Sequence, residues 1–213
     1  MDQSLMELVF ILDRSGSMSG KESDTIGGFN SLIEKQKGEE GDALVTVVLF
    51  DDQYEVLYDR MSLKTIPKMT TKEYYVRGST ALFDAVGKTI NKTKAIQDGT
   101  EEAARPGKTL FVIITDGLEN ASREYRADVV KNLVETRKKD DDWEFLFIGA
   151  NIDSVAEASK IGIDANRAAG FATTEESMES VYDTVGCVVK TARRSKGKMS
   201  ESIADNWSDD IKS

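Results

Sequence analysis

An apolar run near the start of the chain ends at an acid, and two hydroxyl side chains follow at alternate positions. Residues 8–12 are all apolar, Asp13 comes next, and Ser15 and Ser17 follow in a loop with glycine. Carboxylate and hydroxyl oxygens are ligands that Mg²⁺, Mn²⁺ and Ca²⁺ prefer. The loop could therefore hold a hard divalent cation. Because Asp, Ser and Gly are also common turn residues, a solvated turn between a strand and a helix is the alternative.

Two more oxygen-bearing side chains stand where a strand ends or a helix begins. Asp116 directly follows residues 109–115, the most apolar strand pattern in the chain, and Thr80 precedes a strong helical pattern. In open, mostly parallel sheets, ligands bind at the carboxyl ends of the strands, and Asp13 and Asp116 both fall there. Each residue also has a structural alternative, since Thr80 could cap its helix and Asp116 could accept hydrogen bonds from the amides beside Gly117.

Four nearby polar residues receive a structural interpretation. Glu119 and Asn120 could line the rim of the site, but solvated loop positions are the preferred interpretation. Asp51 and Asp52 are interpreted as the turn of a hairpin.

Composition narrows the classes of function. The chain has 213 residues, a formal net charge of −10, no histidine and one cysteine. The absence of histidine excludes a Ser-His-Asp triad and imidazole metal ligands, and the acidity argues against nonspecific nucleic-acid binding. A single cysteine, Cys187, excludes an internal disulfide and indicates a reducing compartment, so we expect a cytoplasmic protein without a membrane span. Cys187 is interpreted as a small side chain in the core.

The order of elements predicts an α/β fold. Strand patterns cover 5–12, 43–50, 54–60, 109–115, 143–148 and 168–172, and helical patterns follow from about 26, 81, 129, 154 and 176. The short polar connection after residue 50 predicts an antiparallel edge hairpin. We therefore expect a doubly wound, Rossmann-like, mostly parallel six-stranded sheet with one antiparallel edge strand and helices on both faces.

Local signals predict several details. Ser154 with Glu157, and Thr173 with Glu176, have the spacing of capping boxes. Gly27 and Gly28 lie inside the first helix, where they could allow close approach to the sheet or to the Asp13 loop. Residues 1–194 form the expected domain, and residues 195–213 are predicted to be a mobile tail.

Three segments in order resemble the metal-ion-dependent adhesion site of von Willebrand factor A domains. They are Asp-x-Ser-x-Ser at 13–17, Gly-Ser-Thr at 78–80, and Thr-Asp-Gly at 115–117. The flanking residues are similar to the intracellular bacterial branch, and the resemblance spans about residues 4–192. Intracellular members are found beside AAA-type ATPases, in metal chelatases and in tellurium-resistance-related systems. The resemblance therefore suggests a regulatory subunit of a larger assembly.

The resemblance implies a role for each of five residues. Ser15 and Ser17 would be direct ligands, and Thr80 would coordinate directly or through water. Asp13 and Asp116 would lie near the ion, often acting through water and orienting the hydroxyls. The ion would be Mg²⁺, with Mn²⁺ or Ca²⁺ as other candidates, and an Asp or Glu of a partner protein would complete its shell.

Two functions from different classes follow. The first is a noncatalytic module that binds an acidic side chain of a partner protein through a divalent cation. The alternative is a magnesium-dependent phosphohydrolase with Asp13 as nucleophile. That chemistry needs a second acid two residues later, where this chain has Ser15. The first function is therefore preferred, and the sequence leaves the oligomeric state open.

Overall fold

Six strands form one sheet whose spatial order differs from their order along the chain. The computed structural model describes residues 1–172 and 174–211. The strands are β1 (Asp2–Asp13), β2 (Asp42–Phe50), β3 (Tyr54–Ser62), β4 (Pro106–Thr115), β5 (Glu144–Ala150) and β6 (Ala168–Phe171). Their order is β3-β2-β1-β4-β5-β6, and every neighbouring pair is parallel except β2 with β3. The predicted fold class is confirmed.

Helices cover both faces of the sheet. They are α1 (Glu22–Lys37), α2 (Leu82–Gly99), α3 (Ala127–Asp141), α4 (Ser154–Lys160) and α5 (Glu175–Arg194). The apolar side chains of α1 and α5 belong to one core cluster, and those of α2, α3 and α4 belong to the other. Along β1 the side chains alternate between the two, with Phe10 in the first and Ile11 in the second. A strand buried on both faces must be apolar throughout, which explains the run at 8–12.

The centre of the sheet positions the candidate site. Strands β1 and β4 are parallel neighbours, and Leu12 pairs with Ile114. After β1 the chain enters α1 on one face, whereas after β4 it enters α3 on the other face. The connections therefore diverge at the carboxyl ends of these two strands, which is where open α/β sheets form ligand sites.

The segment after α5 packs against the domain, which differs from the predicted mobile tail. Met199, Ile203 and Trp207 are buried, and the Trp207 indole N–H donates to the Asn166 carbonyl at 2.9 Å. These apolar residues recur every fourth position, a helical spacing that the polar residues between them obscure. Their burial shows why the segment does not extend freely into solvent. The domain boundary at residue 194 stays a prediction.

The position of Cys187 on α5 and the cap of this helix differ from the predictions. Cys187 is exposed and is therefore not a core side chain. The helix buries only one face, and Cys187 lies between buried neighbours but on the solvent side. The Thr174 side chain accepts from the Ser177 amide and caps α5. Thr173, which was predicted to form the capping box with Glu176, lies outside the described residues.

The predicted Ser154 cap and the predicted role of the α1 glycines also differ from the structure. The N-cap of α4 is Asp153, whose carboxylate accepts from the Ala156 amide at 3.0 Å. The Ser154 hydroxyl instead donates to the Gly149 carbonyl. A Cβ on Gly28 would lie 2.2 Å from the Tyr182 ring of α5, so this glycine permits close helix packing. None of the helices in the described residues is long and apolar enough to cross a membrane.

Candidate metal centre

Three hydroxyl groups from two loops meet at the carboxyl edge of β1 and β4. The Ser15 and Ser17 oxygens are 3.0 Å apart, and the Thr80 hydroxyl donates to Ser15 Oγ at 3.1 Å. The N-cap of α2 is Ala81 rather than Thr80, and it makes no side-chain capping bond. The hydroxyl of Thr80 therefore bonds to the Ser15 loop, and Thr80 does not cap α2.

Asp116 joins this hydroxyl cluster from the end of β4. Its Oδ1 accepts the Ser17 hydroxyl at 2.5 Å, and its Oδ2 forms an ion pair with Lys21. Lys21 also donates to the Ser17 carbonyl at 3.0 Å. Four of the five predicted site residues are thus linked in one chain of contacts from Thr80 to Asp116.

The fifth predicted residue, Asp13, lies beneath the loop and is 1% exposed. One carboxylate oxygen accepts the Ser15 amide at 2.7 Å, and the other accepts the Thr115 hydroxyl at 2.6 Å. Burial raises the pKa of the Asp13 carboxyl to about 6, although the hydrogen bonds from Thr115 and Ser15 act in the opposite direction. Asp13 therefore fixes the conformation of the loop that carries the two serines.

A glycine keeps the space around the hydroxyls open. A Cβ on Gly117 would lie 2.8 Å from Thr80 Oγ1 and 3.2 Å from Ser17 Oγ. The surface depression here has a volume of about 390 Å³. Its lining residues are Ser15, Gly16, Ser17, Gly78, Ser79, Thr80, Gly117, Leu118 and Asn120. Any side chain on Gly117 would fill the space beside two of the three hydroxyls.

The chemistry of these donors fits a hard divalent cation. Within the ranges that the structure describes, no group of three or more His, Cys, Asp or Glu side chains is placed to hold a metal. The donors at this edge are instead three neutral hydroxyls beside two carboxylates, all of them oxygen ligands. Ser15 and Ser17 would hold such an ion, with Thr80 and the two aspartates close by.

Glu119 and Asn120 fix the position of Thr80, a role that the sequence interpretation missed. The Thr80 amide donates to Asn120 Oδ1 at 2.9 Å, and the Asn120 amide donates to the Thr80 carbonyl at 3.0 Å. Glu119 accepts the Phe83 amide at 2.9 Å at the start of α2. The two residues are therefore structural links between the Asp116 loop and the Thr80 loop, and Asn120, which is exposed, also lines the depression.

Asp51 is the third residue whose role the sequence interpretation missed. It is fully buried and accepts from Arg14 Nε at 2.9 Å and from Arg77 Nε at 2.6 Å. Burial acts to raise the pKa of the Asp51 carboxyl, but hydrogen bonds from Arg77, the Gln53 amide and Arg14 outweigh it and hold the pKa below its usual value. Asp51 thus ties the Ser15 loop to the loop before Thr80. Its position directly after β2, at the same sheet edge, was the available signal.

Comparison with known proteins agrees with this fold. The family model of the von Willebrand factor type A domain matches residues 7–185, whereas no curated protein matches the chain. A von Willebrand factor type A structure from Catenulispora acidiphila aligns with TM-score 0.61 and 16% identity, over 89% of this chain and 43% of that chain. The vWF domain of the type V pili tip protein Mfa5 from Porphyromonas gingivalis aligns with TM-score 0.63 and 12% identity, over 89% of this chain and 96% of that chain.

A third structure shows the same likeness. The ArnB paralog VWA2 from Sulfolobus acidocaldarius aligns with TM-score 0.53 and 17% identity, over 88% of this chain and 44% of that chain. The present chain thus spans less than half of both the Catenulispora and the Sulfolobus proteins. At these identities the structural likeness concerns the fold alone. Because the family model covers most of the chain, this protein belongs to the von Willebrand factor type A domain family.

Proposed function

We propose that this domain is a noncatalytic module that binds a partner protein through a divalent cation. Ser15, Ser17 and Thr80 would hold the ion, and Asp13 and Asp116 would orient them and balance its charge. An Asp or Glu side chain of the partner would complete the shell of the ion. The ion we expect is Mg²⁺, with Mn²⁺ or Ca²⁺ as substitutes.

One observation carries this proposal. The hydroxyl oxygens of Ser17 and Thr80 lie 3.0 and 3.1 Å from that of Ser15 at the sheet edge, although Thr80 stands 65 residues after Ser15 in the chain. Hydrogen bonds among these hydroxyls use only part of their bonding capacity, since each oxygen can still accept a hydrogen bond or coordinate a metal ion. The adjacent glycine keeps the space beside them free. This arrangement supports a shared ligand better than three independent turn hydroxyls do.

The small number of charged ligands supports recognition of an acid. A cation coordinated mainly by neutral hydroxyls keeps much of its positive charge, and an incoming carboxylate gains a charge-assisted contact in place of water. The preferred partner group is therefore Asp or Glu rather than a neutral side chain. This expectation agrees with the frequent role of von Willebrand factor A domains as protein-interaction modules.

The surroundings of Asp13 argue against the phosphohydrolase alternative. A nucleophilic carboxylate needs one oxygen free to attack the substrate. In Asp13 both oxygens accept hydrogen bonds from within the fold, and the residue is almost fully buried. Turnover of a generic phosphate ester that needs Mg²⁺ and is abolished by Asp13→Asn would nevertheless establish the enzymatic alternative.

Calorimetric titration of Mg²⁺ and Mn²⁺ into the full chain tests the metal site. We expect Ser17→Ala and Asp116→Asn to weaken binding by at least tenfold, since each removes an oxygen donor or its charge. Ser19→Ala is the matched control, because Ser19 is exposed in the same segment and is not among the residues that line the depression. Equal affinity of Ser17→Ala, Ser19→Ala and the unmodified chain would refute the site.

A pull-down with matched variants tests the partner. The unmodified chain and Ser17→Ala are each used as bait in Mg²⁺ and in EDTA. We expect a partner that is retained only by the unmodified chain in Mg²⁺ and is lost when one of its acidic residues is neutralised. A set of partners that neither chelation nor Ser17→Ala changes would contradict recognition through a metal.

We further propose a cytoplasmic location and a role as regulatory subunit of a larger assembly, on the pattern of the intracellular bacterial branch and its tellurium-resistance-related members. The single cysteine and the similarity of residues 13–18 and 78–85 to that branch support this proposal. Fractionation of cells that produce the protein, followed by sizing of its native complex, is the direct test. Recovery outside the cytoplasm, or as a free monomer in cells grown with Mg²⁺, would count against it.

A further inference from the structure

Lys21 stands at a helix position for which lysine is poorly suited. It is the N-cap of α1, and its side chain makes no capping hydrogen bond. Ser, Thr, Asp and Asn are preferred there because their side chains accept from exposed backbone amides, which an ammonium cannot do. A positive charge also lies unfavourably at the positive end of the helix dipole. The start of α1 therefore gives no local reason for a lysine at this position.

The Lys21 side chain instead turns back toward the metal centre. Its ammonium pairs with Asp116 Oδ2 and donates to the Ser17 carbonyl at 3.0 Å. The side chain is only 16% exposed, and that of Asp116 is 2% exposed. The other oxygen of Asp116 accepts the Ser17 hydroxyl. The ammonium thus neutralises the carboxylate that the proposed metal would use, and it lies beside one of the proposed direct ligands.

We propose that Lys21 is an internal cation of the metal centre, which a divalent ion must displace from Asp116 in order to bind. This inference rests on the proposed metal site and adds a residue that sets its affinity. An ammonium and a divalent ion repel each other, and one carboxylate cannot neutralise both fully. Metal binding is therefore coupled to release of the Lys21 side chain from Asp116.

The charges explain how such a residue would act. With Lys21 in place, the two aspartates and the ammonium leave a net charge of about −1, whereas without it the charge is about −2. Removing the ammonium makes the site more attractive to a divalent ion. It also removes an ion pair that stabilises the metal-free protein. Removal of Lys21 is therefore expected to raise the metal affinity and to lower the stability of the metal-free protein. A purely structural lysine would affect only the stability.

Calorimetric titration of Mg²⁺ into full-length Lys21→Met tests the proposal. We expect about tenfold tighter binding than in the unmodified chain, because the ion no longer competes with a partly buried ammonium. Lys35→Met is the matched control. It removes the same charge from the same helix, but at an exposed pair with Asp183. We expect its affinity to stay within about twofold of the unmodified chain, since exposed distant charges are largely screened.

Thermal unfolding in EDTA and in Mg²⁺ gives a readout independent of calorimetry. Lys21→Met should lower the melting temperature in EDTA, because a buried carboxylate loses its partner, and should enlarge the rise that Mg²⁺ produces. If Lys21→Met does not fold, Lys21→Gln serves in its place, since it keeps the length of the stem and a hydrogen-bond donor.

The outcomes separate this inference from the proposed function. Mg²⁺ binding to Lys21→Met that is equal to or weaker than binding to the unmodified chain overturns the role of Lys21 and leaves the metal site standing. Failure of both the unmodified chain and the Lys21 variants to bind Mg²⁺ or Mn²⁺ overturns the metal site, and the inference with it. Binding that appears only in Lys21→Met supports both.

Discussion

The side chains at the edge of β1 and β4 offer mainly neutral oxygen ligands and few charged ones. Ser15, Ser17 and Thr80 supply neutral oxygens, while Asp13 is committed to the Ser15 amide and the Thr115 hydroxyl. Such a set binds a cation less tightly than a cluster of carboxylates would, but leaves more of its charge for an external ligand. A modest metal affinity and a preference for an acidic partner, as we propose, would then have the same physical origin.

Gly117→Ala should disable the metal centre without unfolding the protein. The new Cβ would lie 2.8 Å from the Thr80 hydroxyl and 3.2 Å from that of Ser17, so the hydroxyls must move apart. We expect Mg²⁺ affinity in calorimetry to fall by at least tenfold. Gly99→Ala is the control, since a Cβ there meets nothing within 4 Å. Loss of affinity in both variants, or in neither, would contradict the importance of this space.

Asp51→Asn should lower the free energy of unfolding by about 3 kcal/mol near neutral pH, because it removes the buried anion that pairs with Arg77 and that shares Arg14 with Glu55. Denaturant unfolding measures this difference. The pKa of Asp51 is lowered in the folded state, so the ionised carboxylate stabilises the protein above about pH 4. That contribution is lost as the pH falls further toward the folded-state pKa. The difference between variant and unmodified chain should therefore shrink below about pH 4.

Asp52→Asn is the control for that measurement. Asp52 is the exposed neighbour of Asp51 in the same turn, and we expect it to leave the free energy of unfolding nearly unchanged. A similar, small effect of both substitutions would mean that the Arg14 and Arg77 pairs with Asp51 do not stabilise the loops.

The sequence identified the five residues of the candidate site but not the residues that support them. Strand ends and the order of the motifs place Asp13 and Asp116 at one sheet edge, because parallel strands share a direction. The roles of Asp51, Glu119 and Asn120 depend on which loops lie next to each other, and residue type does not reveal this. In the sequence, an acidic residue that follows a strand cannot be distinguished as part of a solvated turn or of a buried ion pair.

Among the elements, α1 and α5 pack closely on one face of the sheet. Gly28 allows this, since the Tyr182 ring of α5 lies where a Cβ would project. Tyr182 is fully buried, and burial raises the pKa of its hydroxyl well above its usual value, so the ring stays neutral in this packing. The helix that begins beside the candidate metal centre is thus packed closely against α5.

Gly28→Ala should reduce stability even though alanine favours helices. Overpacking against the Tyr182 ring should outweigh the gain in helix propensity, with a net loss of about 1–2 kcal/mol in denaturant unfolding. Gly27→Ala is the neighbouring control, because a Cβ there meets nothing within 4 Å. It should increase the free energy of unfolding by about 0.5–1 kcal/mol. Two stabilising substitutions would show that α1 and α5 are not closely packed at this point.

The existence and type of each element followed from apolar periodicity, whereas details at the helix ends did not. Long patterns such as β4 and α5 average over many residues, and so tolerate local exceptions. A cap depends on one residue. Asp153 and Ser154 are both suitable N-caps, and the choice depends on where the chain leaves β5. Cys187 was assigned to the core from its residue type, but the helix turns it toward solvent.

For the molecule as a whole, the segment after α5 forms part of the packed structure. Met199, Ile203 and Trp207 extend the core cluster beneath α5. Arg167 donates to the Ile203 carbonyl at 3.1 Å and pairs with Glu144 at 2.9 Å, linking this segment to β5. The segment thus contributes buried surface that the domain prediction did not include.

Trp207→Ala tests this contribution. We expect a loss of about 3 kcal/mol in the free energy of unfolding, because a large buried ring is removed together with its hydrogen bond to Asn166. Asp209→Ala, at an exposed position in the same segment, should have little effect. Unfolding curves that are the same for the two variants would support the mobile tail instead.

The net charge of −10 influences recognition at long range. It favours the approach of cations and disfavours that of acidic partners, although physiological salt screens much of this effect. A bound divalent ion would reverse the local charge at the edge of β1 and β4. Partner binding would then depend on the metal centre rather than on the overall surface.

Diffraction from crystals grown with Mn²⁺, with data collected at the manganese absorption edge, would locate the ion in the domain. We predict one anomalous peak within about 2.5 Å of the Ser15 and Ser17 hydroxyl oxygens, beside Thr80, with Lys21 displaced from Asp116. Manganese bound elsewhere in the crystal, with no peak at these hydroxyls and the Lys21–Asp116 pair intact, would contradict it.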